Sequence, residues 1–201
     1  MRIISGKARG TKLYTLEGEN TRPTLDRVKE SLFSIIQNNL QDAIVIDLFS
    51  GSGALGLECL SRGAQKAYLC DKSPMAIEII KKNIQKTHMN NNTIVLNIDY
   101  KKSIEKINEE TDIIFIDPPY KDDIAVDAVQ MILSLKLLKK DGIIIIETDE
   151  KDREIKNLEK LKIQIYDIRK YGRANLIFLN WKGLNHGNIY FIRRIRRHIR
   201  K

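Results

Sequence analysis

Cysteine and histidine are both scarce in this chain, which has two cysteines and three histidines among 201 residues. Cys59 and Cys70 lie inside apolar stretches and form no CxxC pair. His88, His186 and His198 have polar neighbours and lack the HExxH spacing that would put two ligands on one helix face. The pattern predicts neither a disulfide framework nor a metal site, and we expect both thiols to be reduced and buried.

Long apolar segments are also absent. No apolar run reaches the roughly 18 residues that a membrane-spanning helix needs, and the first ten residues, MRIISGKARG, lack the apolar centre of a signal peptide. We therefore expect a cytoplasmic protein with no membrane partner. With 201 residues and 42% hydrophobic content, the chain has room for one main domain and small additions.

Acidic residues are missing from positions 185–201, which contain six Lys or Arg. Positions 1–30 contain seven basic and four acidic residues, so the net charge of +9 belongs to the two ends and the centre is neutral. Basic residues gain affinity for nucleic acids by displacing counterions from phosphates, which makes both ends candidates for contact with a polyanion. A solvated tail that contacts nothing explains the charge equally well.

From residue 43 onward, short apolar runs alternate with segments of helical periodicity. Runs rich in Ile and Val are typical of strands buried on both faces, and the alternation predicts a parallel sheet covered by helices. The predicted strands lie at 43–49, 67–71, 93–97, 112–117 and 142–147.

Two further apolar runs, at 162–171 and 174–181, are joined by a turn that contains Gly172 and must therefore pair antiparallel. Ahead of the sheet, residues 2–15 predict a hairpin, and apolar positions between 25 and 36 predict an amphipathic helix. The expected architecture is a Rossmann-like α/β fold with a mostly parallel seven-stranded sheet and an antiparallel C-terminal strand. We expect an appendage at 1–40, a main domain at 41–183 and a basic tail at 184–201.

A glycine-rich loop, DLFSGSGALG at 47–56, follows the first strand and opens a helix, as in nucleotide-binding folds. Asp71 ends the second strand, where a carboxylate can accept hydrogen bonds from ribose hydroxyls. Asp47 would repel a pyrophosphate but attract a cationic amino group, which favours S-adenosylmethionine over a dinucleotide. A helix or turn cap is the alternative role for Asp47. The candidate cofactor residues in this region are Asp47, Phe49, Gly51, Gly53 and Asp71.

Asp99 follows the third predicted strand and is a sixth candidate cofactor residue, placed to bind the adenine edge. Aspartate is also a favoured N-cap. Capping of the helix that begins near Tyr100 is therefore an equally good interpretation.

The tetrapeptide Asp117-Pro118-Pro119-Tyr120 ends a fully apolar strand. Consecutive prolines stiffen the backbone and leave carbonyl groups without local partners. The Asp117 carboxylate and the Pro118 carbonyl can then hold both N–H groups of an exocyclic base amine, while Tyr120 offers a face for stacking. A stiff turn with an exposed tyrosine is the structural alternative. The four residues are our candidate catalytic group.

Taken together, these motifs and the segment RPT-x-DRV-x-E-x-LF at 22–33 resemble the RsmD family of 16S ribosomal RNA guanine-N2 methyltransferases. The resemblance extends from Met1 to about residue 181. It implies a class I methyltransferase fold, S-adenosylmethionine as cofactor, and 16S rRNA or the 30S subunit as partner. Arg22 and Arg27 are candidate RNA contacts, although arginine on an amphipathic helix is often only solvated. We expect a monomer.

Two other functions fit parts of the same pattern. A DNA adenine-N6 methyltransferase uses the same tetrapeptide chemistry, but the chain has little room for a region that recognises a DNA sequence. A non-catalytic RNA-binding module for ribosome assembly fits the basic ends, but it would not need both the glycine loop and the tetrapeptide.

Overall fold

The fold is a three-layer α/β sandwich, seen in a computed structural model that describes residues 1–16, 23–119, 123–161 and 163–180. Seven strands form one sheet in the order β3-β2-β1-β4-β5-β7-β6. The strands are β1 (Ile44–Asp47), β2 (Lys66–Cys70), β3 (Thr93–Leu96), β4 (Thr111–Ile116), β5 (Leu138–Thr148), β6 (Gln164–Tyr171) and β7 (Ala174–Asn180). β1 to β5 pair in parallel, and β7 is antiparallel to both β5 and β6. The predicted sheet is confirmed.

Six α-helices cover the two faces of this sheet. They are α1 (Pro23–Ile35), α2 (Ala54–Ser61), α3 (Pro74–Thr87), α4 (Tyr100–Lys106), α5 (Ile124–Ser134) and α6 (Lys151–Leu158). One apolar cluster joins α1, α2 and α3 to one face, and a second joins α4, α5 and α6 to the other. Because both faces are covered, the central stretches of the parallel strands, such as 113–116 and 143–146, are apolar and buried. In the described ranges, no helix is long and apolar enough to cross a membrane.

The predicted N-terminal hairpin is confirmed, with an antiparallel bridge between Arg2 and Lys12. Across it, Ile3 N–H donates to the Thr11 carbonyl oxygen and Leu13 N–H to the Met1 carbonyl oxygen, both at 3.0 Å. The backbone of the hairpin also bonds to helix α2. Lys7 N–H donates to the Ser61 carbonyl oxygen at 2.8 Å, and Ala8 N–H donates to Ser61 Oγ at 3.0 Å. A Cβ on Gly6 would lie 1.7 Å from the Ser61 carbonyl oxygen, so only glycine permits this approach.

A buried carboxylate on α2 holds this N-terminal segment against that helix. Glu58 of α2 accepts the backbone N–H groups of Ile4 at 2.7 Å and Ser5 at 3.0 Å. It also pairs with Lys29 of α1 at 3.0 Å and with Arg62 at 2.7 Å. Burial opposes its ionisation, but these cations and N–H donors together hold the pKa of Glu58 below its usual range. One side chain thus fixes both the first residues and α1 against α2.

Helix α1 packs on β4 and on the turn between β6 and β7. Phe33 packs its ring against Phe115 of β4, with centroids 6.3 Å apart. Ser31 shares a hydroxyl–hydroxyl hydrogen bond with Tyr171, at the turn between β6 and β7. A helix rises 1.5 Å per residue, so Arg27 lies ~6 Å along the helix from Ser31, near the carboxyl edge of the sheet. The start of α1 and the β6–β7 turn therefore flank the edge at which α/β sheets bind ligands.

Candidate active site

Ser50 organises the glycine loop after β1. Its Oγ donates to the Asp47 carbonyl oxygen at 2.6 Å and accepts the Cys70 N–H at 2.9 Å. Its own N–H donates to the Cys70 carbonyl oxygen at 2.9 Å, and its carbonyl accepts the Gly53 N–H at 2.7 Å. The loop is therefore clamped between the ends of β1 and β2. Sequence reasoning missed Ser50, because this role depends on how the two strands sit together.

The glycines of the loop have distinct physical roles. Gly51 and Gly53 adopt positive φ values of 52° and 78°, which residues other than glycine rarely adopt. Gly56 lies in α2, where an added Cβ would come within 2.2 Å of Leu69 Cδ2 on β2. The first two glycines shape the turn, and the third lets α2 approach the sheet.

Asp47 lies under this loop with 3% of its surface exposed. One carboxylate oxygen, Oδ2, accepts the Gly56 N–H at 3.1 Å and so caps the first turn of α2. Burial raises the pKa of Asp47 to about 7; the Gly56 hydrogen bond opposes this rise, and the nearby Asp71 carboxylate adds to it. The capping interpretation is correct, and the proposed attraction for a cationic ligand stays a prediction.

Asp71 meets the same loop from β2. Its Oδ2 accepts the Gly51 N–H at 2.9 Å, and its Oδ1 accepts the Ser73 N–H at 2.8 Å. Each carboxylate oxygen has a second lone pair, so both can still accept hydroxyl donors. The fold thus brings together four of the predicted cofactor residues: Asp47, Gly51, Gly53 and Asp71.

Asp99 caps helix α4, accepting the Lys102 N–H at 3.1 Å. This is the second of the two interpretations of the sequence, and contact with adenine stays a prediction. Next to it, Tyr100 packs its ring against Phe49, with centroids 5.6 Å apart. Tyr100 also donates its hydroxyl to Asp127 at 2.6 Å. This aromatic pair beside the loop includes one residue, Tyr100, that sequence reasoning missed.

The catalytic candidates follow directly after β4. Asp117 and Pro119 are exposed and Pro118 is partly buried, while Tyr120 lies outside the described residues. β4 lies beside β1, with Phe115 paired to Asp47, so Asp117 stands two residues further along than Asp47, on the neighbouring strand. The start of the tetrapeptide and the glycine loop therefore occupy the same edge of the sheet.

Of the candidate RNA-binding residues Arg22 and Arg27, the described part of the chain includes Arg27. Arg27 is exposed on α1, one turn before Ser31, which bonds to Tyr171 at the carboxyl edge of the sheet. Arg22 and the basic tail at 184–201 lie outside the described residues. In the described part of the chain, no group of three or more His, Cys, Asp or Glu residues could hold a metal ion.

Glu147 is a further carboxyl group at this edge, and the sequence analysis did not single it out. Glu147 stands near the end of β5, the strand next to β4, and is partly buried. Burial raises the pKa of Glu147 above its usual range. The run GIIIIE contained the residue, but the sequence alone does not give the register that places it beside Asp117.

Comparisons with known proteins agree with this architecture. The ribosomal RNA small subunit methyltransferase D of Escherichia coli K12 is 49% identical over 71 residues, which are 35% of this chain and 36% of that protein. The chain thus spans well under half the length of the curated relatives that it matches.

Solved structures cover more of the chain. A Thermus thermophilus protein described as hypothetical is 25% identical with a TM-score of 0.73, covering 90% of this chain and 99% of that one. The tRNA m1G37 methyltransferase of M. jannaschii is 22% identical with a TM-score of 0.59, covering 80% of this chain and 47% of that one, and shares the fold. The predicted methyltransferase fold is confirmed. A family model described as conserved hypothetical protein 95 matches residues 1–180, so the chain belongs to that family, and the predicted RsmD-family membership is confirmed.

Proposed function

We propose that this protein transfers a methyl group from S-adenosylmethionine to the exocyclic N2 amine of a guanine in 16S rRNA, as a monomer in the cytoplasm. The observation that carries the proposal is the position of Asp117 and Pro118 at the sheet edge that also holds the glycine loop. Family membership and the name of the E. coli relative support the ribosomal substrate. Residues 41–183 form the transferase domain in this proposal, with residues 1–40 as an appendage.

The residues around the glycine loop suit S-adenosylmethionine. Asp71 offers acceptors to two ribose hydroxyls, Asp47 offers a carboxylate to the cationic amino group, and Phe49 offers an apolar surface. Asp99 can bind the adenine with the oxygen that is not engaged in capping. When bound, S-adenosylmethionine supplies an electrophilic methyl group.

The tetrapeptide supplies the other half of the chemistry. The lone pair of an exocyclic amine is delocalised into the ring, so the nitrogen is a poor nucleophile. Asp117 and the Pro118 carbonyl accept its two N–H bonds and orient the nitrogen lone pair toward the methyl donor. Asp117 or water takes the proton that the nitrogen loses after transfer. Tyr120 stacks on the base, and Arg22 and Arg27 contact RNA phosphates.

The test is transfer of a radiolabelled methyl group from S-adenosylmethionine to three substrates: 30S particles, naked 16S RNA and double-stranded DNA. Digestion to nucleosides then identifies the product. N2-methylguanosine from particles or 16S RNA is the expected result. N6-methyladenine in DNA would show that the substrate is DNA, while the chemistry of methyl transfer to an exocyclic amine would stand. Cofactor binding without transfer to any substrate would favour a non-catalytic assembly module.

A further inference from the structure

Glu147 and Asp117 occupy equivalent positions on neighbouring strands. β4 and β5 are parallel, with Phe115 paired to Ile145 and Ile116 paired to Ile146. The next pair in this register is Asp117 and Glu147. Parallel strands lie ~4.8 Å apart, so this register, continued one residue past β4, places the backbones of Asp117 and Glu147 side by side at the carboxyl edge.

Both residues face the layer that contains α1. Phe115 and Ile145 pack in the cluster formed with α1, α2 and α3, whereas Ile116 and Ile146 pack in the opposite cluster. Side chains alternate between faces along a strand. Glu147 therefore shares the face of Phe115 and Ile145, and the same alternation carried past β4 gives that face to Asp117.

The Glu147 carboxyl group is partly buried, and burial raises its pKa. On its other side it pairs in the sheet with Leu176 of β7, which offers no polar side chain. Asp47, Glu58 and Asp71 each accept a backbone N–H, whereas burial is the cause of the raised pKa of Glu147 within the described ranges. A partly buried carboxyl group gains from an N–H donor, and a ligand that brings an N–H group to this edge would supply one.

We propose that Glu147 accepts the N1–H of the target base and thereby selects guanine over adenine, an inference that rests on the proposed function. Guanine presents N1–H and the N2 amine next to each other on its Watson–Crick edge, whereas adenine presents a lone pair at N1. With the amine held by Asp117 and Pro118, the neighbouring N1–H points toward the adjacent strand. Glu147 meets a donor there in guanine and a repelling lone pair in adenine.

The test pairs protein variants with a base analogue. 2-Aminopurine keeps the exocyclic amine but has no N1–H. Small-subunit (30S) particles are reconstituted from 16S RNA with either guanine or 2-aminopurine at the methylated position, once nucleoside mapping has identified it. Methyl transfer is measured for the wild type, for E147A and E147M, which remove the acceptor, and for E147Q, which keeps an acceptor oxygen. E150A removes an exposed carboxylate three residues away as the matched control.

On guanine particles, E147A and E147M should lower kcat/KM roughly 10- to 100-fold, as expected for loss of a hydrogen bond to a carboxyl group. For the wild type, kcat/KM on 2-aminopurine particles should be lower than on guanine particles by a similar factor. On 2-aminopurine particles, E147A and E147M should have the same kcat/KM as the wild type, because the hydrogen bond from N1–H to Glu147 is already absent. E147Q should keep its preference for guanine, and E150A should match the wild type.

An equal loss for E147A and E147M on both kinds of particle would overturn the proposal, since it would mark Glu147 as a structural residue. E147M preserves side-chain volume and keeps the test valid if E147A does not fold. A wild-type protein that cannot methylate guanine particles would refute the proposed function itself. That outcome differs from an equal loss on both kinds of particle, which would refute only the role of Glu147.

Discussion

Asp47 is a buried residue whose ionisation opposes folding. Its pKa is about 7 in the folded protein and 3.8 as the ordinary value for the unfolded chain, because burial disfavours the charged form. The folded state therefore binds an extra proton between these values, and stability falls as pH rises toward 7.

Substitution D47N should remove this dependence. Between about pH 5 and pH 8, the free energy of unfolding of the wild type should fall by about 3 kcal/mol relative to D47N. Urea denaturation of both proteins at several pH values measures the difference. Parallel stability profiles would show that Asp47 has an ordinary pKa in the folded state.

Asp117 is assigned to the base and not to the cofactor. Substitution D117A should therefore lower methyl transfer by at least about a hundredfold, since one oriented acceptor at the reacting nitrogen is lost. Affinity for S-adenosylmethionine, measured by calorimetry, should stay within about twofold of the wild-type value. Equal losses of transfer and affinity would contradict this division of roles.

Single residues differ in how far the sequence reveals them. Asp47, Asp71 and Asp117 were predictable, because each follows an apolar run and the carboxyl ends of parallel strands meet at one edge. Ser50 and Glu147 were not, because the role of each depends on the register between two strands that are far apart in sequence.

At the scale of elements, α3 connects the N-terminal segment to the glycine loop through Asn83. Its side chain, fully buried, donates to the Tyr14 carbonyl oxygen and the Ser52 carbonyl oxygen, both at 2.9 Å. It also accepts the Tyr14 N–H at 2.8 Å. The helix thus holds both segments through one amide group.

Substitution N83A should cost about 2 kcal/mol of stability, because three hydrogen bonds are lost and their backbone partners stay partly buried. It should also weaken cofactor binding, since Ser52 belongs to the loop. Thermal denaturation and calorimetry measure the two effects. Q85A, which alters an exposed residue of the same helix, should change neither, and an N83A protein with wild-type behaviour would rule out this connection.

Helix α1 depends on the buried pair of Lys29 and Glu58. Substitution K29M should destabilise the protein by about 3 kcal/mol, because it leaves the buried carboxylate without one of its cations. E30A on the exposed face of α1 is the matched control. Denaturant midpoints for the two variants compare them directly, and a midpoint for K29M equal to that of E30A would show that the pair adds no stability.

The limits of elements were less predictable than their order. Apolar residues continue at helical spacing from 124 to 138, but α5 ends at Ser134 and β5 begins at Leu138. The reason is tertiary, because Thr111 N–H donates to the Leu137 carbonyl oxygen at 2.7 Å and draws this segment into the sheet. Apolar residues that continue a helical pattern can equally begin a buried strand.

At the scale of the whole molecule, the charge of +9 is concentrated outside the neutral central domain. Deletion of residues 185–201 removes six basic residues and should weaken association with 16S RNA or 30S particles. The dependence of affinity on salt should also become shallower, because fewer counterions are released. Replacing the same six residues by Gln at constant length separates charge from chain length, and an unchanged salt slope would mean that the tail makes no phosphate contacts.

The position of β7 between β5 and β6 also governs how this sheet can assemble. β6 has no sheet partner until β7 is available, and β5 keeps an open edge until then. The β6–β7 hairpin is local and can close within microseconds, whereas its docking on β5 joins segments about thirty residues apart in sequence. During synthesis, the β6–β7 turn at Tyr171 and Leu176, the apolar neighbour of Glu147, therefore join the sheet edge after the strands that carry the glycine loop.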